Sequence, residues 1–120
     1  MNRRRFPILL AAGALILGYS YAMADPDPEG LYQAHCASCH GPSGAPDPDG
    51  PVVQGLGVVP ANFTDPLFNS REPAADWAMV IRHGGAALGL SDRMPAFDGT
   101  LSEQEITALV DYLKEIPGEH

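Results

Sequence analysis

The stretch His35-Cys36-Ala37-Ser38-Cys39-His40-Gly41, HCASCHG, holds both cysteines of the 120-residue chain and two of its four histidines. Two cysteines separated by two residues suit a thiol–disulfide pair, half of a zinc site, or an anchor for haem. A thioredoxin-like CxxC opens a helix after a strand, whereas the preceding PEGLYQAH has no β-branched residue. Structural zinc takes four ligands, commonly as two spaced pairs; here there is no third cysteine, and His83 and His120 are single and far apart. A disulfide from i to i+3 closes almost no loop and stabilises little. The haem arrangement needs more parts, and they are present: two thiols form thioethers with the vinyl groups, and the next histidine ligates iron. One helical turn would set Cys36 and Cys39 along one edge of the macrocycle, with His40 beneath the metal. Ala37 and Ser38 are small enough to pass close to the ring. The expected cofactor is one haem c, attached through Cys36 and Cys39, with His40 on the iron.

The N-terminus suits the compartment in which such haem is attached. Arg3, Arg4 and Arg5 precede an apolar run over residues 6–18, and Ala22-Met23-Ala24 places small residues at a cleavage site. This predicts an exported, periplasmic chain: residues 1–24 a signal peptide cleaved after Ala24, residues 25–120 one mature domain. The alternative is an uncleaved membrane anchor, for which the run is short against the roughly 20 apolar residues of a span. Cleavage leaves Arg71, Arg82, Arg93 and Lys114 against 15 acidic residues. Such a surface repels nucleic acid and anionic lipid and steers toward a basic partner.

A domain of this size is marginal on its own side chains, and residues 41–60 are dominated by glycine and proline. A large apolar cofactor would complete the core. The same long Pro/Gly segment, running on toward Pro66, reads as a loop wrapping one face of the haem. Within it Pro51 is a candidate support for the haem ligand, its carbonyl accepting from the free ring nitrogen of His40 and fixing that ring; equally, Pro51 simply stiffens a turn.

The sixth ligand is sought among Met79, Met94, His35, His83 and His120. Met94 sits in LSDRMPAFDG, where Pro95 bars a helix and fixes the backbone, and a thioether on iron raises the potential. Met79 lies in a helix expected over residues 73–83, on the side away from the Trp77, Val80 and Ile81 stripe. His83 ends that helix where a positive charge suits the dipole. His35 would turn away from the iron if His40 faces it. Met94 is therefore the expected metal ligand beside His40.

Asp27 and Pro28 read as N-cap and first residue of a helix leading into the haem motif. LSEQEITALVDYLKEIPG is the clearest helix: Ser102 and Glu105 have capping-box spacing, and Ile106, Leu109, Val110 and Leu113 form one stripe, extended by Tyr112 and Ile116. No segment alternates like a strand, so the class is all-α.

LYQAHCASCHG, GPVVQGL, WAMVIRHGG, RMPAF and LSEQEITALVDYL, in this order, resemble a class I, monohaem c-type cytochrome of the bacterial periplasm over nearly all of residues 25–120. The resemblance implies His40 and Met94 as axial ligands, Cys36 and Cys39 as anchors, and the first helix packed on the last, with an aromatic at Tyr32. One position departs: Pro28 stands where the family often has the glycine of that helix crossing, so either Gly30 takes the role or the crossing shifts.

The function expected is one-electron transfer, not enzymatic turnover: a soluble carrier cycling Fe(II) and Fe(III) between a dehydrogenase or reductase complex and an oxidase. It would dock weakly on redox partner proteins with a basic surface. The alternative is a small haem gas sensor or haem enzyme with an open or labile sixth position.

Overall fold

The computed structural model describes residues 13–15, 17–18 and 23–118. The expected signal peptide lies mostly outside them, as does His120. Every regular element among the described residues is helical: α1 (Pro28–His35), α2 (Ala37–His40), α3 (Pro51–Leu56), α4 (Pro66–Arg71), α5 (Ala74–His83) and α6 (Glu103–Glu115), with a 3₁₀ turn at Ala86–Leu88.

Local chemistry explains where these helices start. Asp27 Oδ1 accepts from the Gly30 N–H at 3.0 Å, with Pro28 in the first helical turn. The same Asp-Pro device opens α4, where the Asp65 carboxylate accepts from the Leu67 and Phe68 amides. Ser102 and Glu105 form the full capping box of α6, each satisfying a backbone N–H that the helix itself leaves free. Cys36 breaks the expected continuous helix, ending α1 and opening α2.

The expected long loop is also interrupted, because α3 forms inside it. Gly50 is extended, Pro51 enters with its φ already helical, and Gly57 ends the turn in the left-handed region at φ 69°.

α1 and α5 both pack on α6. Ile106, Leu109, Val110 and Leu113 are buried as the 3.6-residue period requires, and they meet Tyr32, Phe63, Trp77, Ile81 and Leu101 in one core. Each such side chain contributes about 1.5–3 kcal/mol when fully buried. Tyr32 and Leu109 are completely enclosed, and the Tyr32 hydroxyl donates to the Gly41 carbonyl at 2.6 Å, tying α1 to the end of the cysteine motif. Gly30 does not take over the helix crossing: a Cβ there would meet the Asp27 carboxylate of its own cap. Contact with α6 passes instead through Tyr32, whose ring lies 5.8 Å from that of Tyr112.

A polar clasp joins α4 to α6. Asn69 Nδ2 donates to the Phe63 and Leu113 carbonyls, both at 3.1 Å. In return Lys114 Nζ donates to the Asn69 carbonyl at 2.6 Å and to that of Glu72. A cation thus satisfies carbonyls that the C-terminal end of α4 leaves without helical partners.

Candidate functional site

A cavity of about 560 Å³ lies among α2, α5, the segment 58–63 and the loop 90–97, lined by Cys36, Cys39, His40, Phe63, Trp77 and Met94 among others. That volume is typical of sites for organic ligands and cofactors. Four of the five residues singled out from the sequence therefore reach one space. The fifth, Pro51, does not: it is exposed at the start of α3 and is not part of the lining.

The role expected of Pro51, as acceptor for the His40 ring, falls instead to Ala61. His40 Nδ1 lies 3.0 Å from the Ala61 carbonyl oxygen. A carbonyl only accepts, so Nδ1 carries the hydrogen and Nε2 keeps a free lone pair. Folding Pro51 into α3 turns its carbonyl to helical use, whereas Ala61 lies outside any helix with its carbonyl beside the imidazole. Phe63 stacks on the same ring, with centroids 4.7 Å apart and planes at 24°. Burial pushes the His40 pKa down, opposed by the Ala61 hydrogen bond. The ring is held neutral and in one tautomer, the form in which imidazole binds a metal.

Cys36 and Cys39 lie one turn apart, and both line the cavity. Burial, and then the neighbouring Cys39, push the Cys36 thiol up to about 11. Thiol–disulfide chemistry needs the opposite, a thiol whose pKa is lowered. Among the described residues no three His, Cys, Asp or Glu side chains converge, so the pair lacks the companions of a closed zinc site.

Met94 is carried by a loop stitched to the end of α5. Gly85 N–H donates to the Met94 carbonyl at 2.9 Å, Leu90 N–H to the Gly85 carbonyl at 2.9 Å, and Phe97 N–H to that of Ile81 at 2.9 Å. Glycine is required where the two sides of this loop meet: a Cβ on Gly85 would stand 2.1 Å from the Ser91 carbonyl oxygen. The sequence signal Gly84-Gly85 reads as a helix stop; its second role, as the seat of the Met94 loop, depends on tertiary contact.

The other ligand candidates are placed differently. Met79 is exposed, its sulfur 3.6 Å from Arg82 Nη1. His83 is exposed at the end of α5 and outside the lining. His35, expected to turn away, reaches the cavity rim and stands edge-on to Phe97 at 5.9 Å. Arg93 lines the rim with 58% of its side chain exposed.

Trp77 shows a demand that the stripe pattern concealed. Its indole Nε1 is buried with no hydrogen-bond partner, beside the cavity that the ring helps to line. A buried unpaired donor costs about 1–3 kcal/mol, and an anionic group inside the cavity would satisfy it. A haem fits every part of this lining: apolar walls, two thiols one turn apart, a free imidazole nitrogen, a thioether, and a donor for a propionate.

Comparison with known proteins gives the same direction. A family described as cytochrome C oxidase, cbb3-type, subunit III matches residues 24–113. Among solved structures, one titled KustC0563 c-type cytochrome superposes with a TM-score of 0.61 at 26% identity, covering 76% of this chain and 98% of that one. Among curated proteins no match is found.

Proposed function

The chain belongs to the c-type cytochrome family matched over residues 24–113, a class I cytochrome c with one covalent haem c, and from that premise we propose that it is a one-electron carrier with His40 and Met94 as axial ligands. Cys36 and Cys39 would form the thioethers. The observation that carries this reading is the meeting of both cysteines, His40 and Met94 on one cavity, with His40 Nδ1 committed to the Ala61 carbonyl.

When bound, haem supplies a one-electron Fe(II)/Fe(III) couple. The chain does the rest. Ala61 and Phe63 fix the imidazole, so that little rearrangement would accompany a change of charge at a bound iron. The Gly85–Met94 hydrogen bond holds the thioether-bearing loop against α5. The unpartnered Trp77 N–H would be available to a propionate. With His40 and Met94 both holding the iron, no site would remain for a substrate, which favours a carrier over an enzyme.

Exposed Val58, Val59 and Leu90 border the cavity and form an apolar contact for redox partners. Fifteen acidic residues in the whole chain favour partners with a basic surface. No described helix is long and apolar enough to cross a membrane. Arg3-Arg4-Arg5 and Ala22-Met23-Ala24 support export to the periplasm with cleavage after Ala24.

The test is the absorption spectrum of ferric holo-protein. The weak near-infrared band of a methionine–iron bond should be present at neutral pH and absent in Met94→Ala. Its absence from the wild type, together with carbon monoxide binding to the ferrous protein without denaturant, would replace the carrier by a sensor or enzyme with an open site.

A further inference from the structure

The four cations beyond residue 24 are not equivalent. Arg71 is exposed, Arg82 is paired with Glu103 on the surface, and Arg93 sits at the solvent-facing rim. Lys114, the chain's single lysine, is half-buried and directed inward. Its Nζ lies 3.7 Å from the centroid of the Trp77 ring, and the Asn69 and Glu72 carbonyls hold it there. Those carbonyls orient the ammonium without cancelling its charge, and among the described residues no carboxylate pairs with it.

Trp77 is 7% exposed, and Phe68 stacks on it with planes at 18°. The ring is therefore poorly solvated, with the half-buried ammonium held over its face, where a cation is attracted by the ring's quadrupole. The same indole helps to line the cavity and carries a buried N–H without a partner. A positive charge over the ring withdraws electron density from it and makes that N–H a better donor to a carboxylate. It also adds positive potential to the cavity wall, and a lone charge acts over several ångströms in such surroundings.

We propose that Lys114 is a positioning residue for electron transfer: its ammonium, clamped against Trp77 by the end of α4, fixes and polarises the indole and holds the reduction potential of the haem up. The proposal rests on the haem reading above. The reaction it biases is Fe(III) + e⁻ → Fe(II), the electron arriving from and leaving to protein redox partners. No bond to Lys114 forms or breaks, and no proton moves. Reduction lowers the charge of the site by one, so a fixed cation nearby favours the reduced form.

The experiment is spectroelectrochemical titration of the holo-protein and four variants: Lys114→Gln, Lys114→Arg, Trp77→Phe, and Trp77→Phe with Lys114→Gln. At one applied potential the oxidised-to-reduced ratio should rise roughly twofold to tenfold in Lys114→Gln. Lys114→Arg, which keeps charge and stacking, should retain the wild-type ratio. In the Trp77→Phe background the glutamine change should have a smaller effect. An unmoved ratio in Lys114→Gln with the methionine–iron band intact overturns the proposal, as does an arginine variant that shifts as far as the glutamine one. Should Lys114→Gln not fold, Lys114→Met keeps the apolar stem over the ring and is read in the same way. A wild-type protein without haem or without the band refutes the carrier reading itself, which is a different result from an unmoved potential in a protein that has both.

Discussion

The backbone N–H of Gly85 donates to the Met94 carbonyl at 2.9 Å, so the residue pair that ends α5 also fixes the loop bearing the thioether. Gly85→Ala would place a Cβ 2.1 Å from the Ser91 backbone oxygen. Neither atom belongs to a flexible side-chain end, so the loop must move. Expected are a loss of about 1–3 kcal/mol in stability and a weaker methionine–iron band, read by urea unfolding and near-infrared absorption. Gly99→Ala, where a Cβ meets open space, should leave both unchanged.

Phe63 is 8% exposed and touches His40 by stacking and Trp77 at a centroid distance of 5.3 Å. Removing the ring takes away core volume and the face that orients the imidazole. Phe63→Ala should cost about 3–5 kcal/mol, and Phe63→Leu markedly less, by denaturant unfolding of the holo-proteins. Equal stability of the alanine variant and the wild type would show that the stack does not support the core.

The Tyr32 hydroxyl donates to Gly41 at 2.6 Å inside the α1–α6 contact. Burial first, and then the Cys36 and Tyr112 neighbours, push its pKa up from 10.0. A group whose pKa is raised by folding gives stability that is complete below its unfolded value and is lost as pH climbs toward the folded one. Stability should therefore fall above about pH 10, and Tyr32→Phe should remove that alkaline slope. At neutral pH the same variant should lose about 1 kcal/mol for the missing hydrogen bond. Unfolding curves collected across the alkaline range check both.

Arg82 Nε and Nη2 reach the two Glu103 oxygens at 2.8 and 2.5 Å, joining the end of α5 to the first turn of α6. The hydrogen bond from Arg82 holds the Glu103 carboxyl below its ordinary 4.5. For a carboxyl lowered by folding, the contribution is present above the unfolded value and disappears as pH falls through the folded one. The pair is exposed and its effect is small and weakened by salt. Melting temperatures from neutral to acid pH should show a shallower acid decline for Glu103→Gln than for the wild type; parallel curves would mean the bridge adds nothing.

Ser102 accepts from the Glu105 N–H at 3.2 Å, and Glu105 Oε2 accepts from the Ser102 N–H at 2.8 Å. Ser102→Ala should cost about 0.5–2 kcal/mol, by thermal or denaturant unfolding. Ser102→Asp should recover most of it, since a carboxylate also caps and suits the helix dipole.

What the sequence determined by itself is local. Two thiols and an imidazole within one helical turn must face the same way, because 3.6 residues per turn leaves them no choice. The caps at Asp27 and Ser102, and the Ile106-Leu109-Val110-Leu113 stripe, were legible for the same reason. Asp65-Pro66 carries the same kind of signal for α4, masked by the turn residues that dominate the stretch before it. The tertiary structure decided the rest. Every residue has a carbonyl, so nothing in the composition marks Ala61 rather than Pro51 as the His40 partner; only the path of the chain past the imidazole selects it. Gly85 shows a helix stop in the sequence and a loop seat only when Ser91 and Met94 come back against it. Lys114 counts as one charge among four until α4 closes over α6 and sets its ammonium on Trp77. Short-range periodicity comes from covalent geometry, whereas acceptors, close approaches and buried charges exist only between segments that folding brings together.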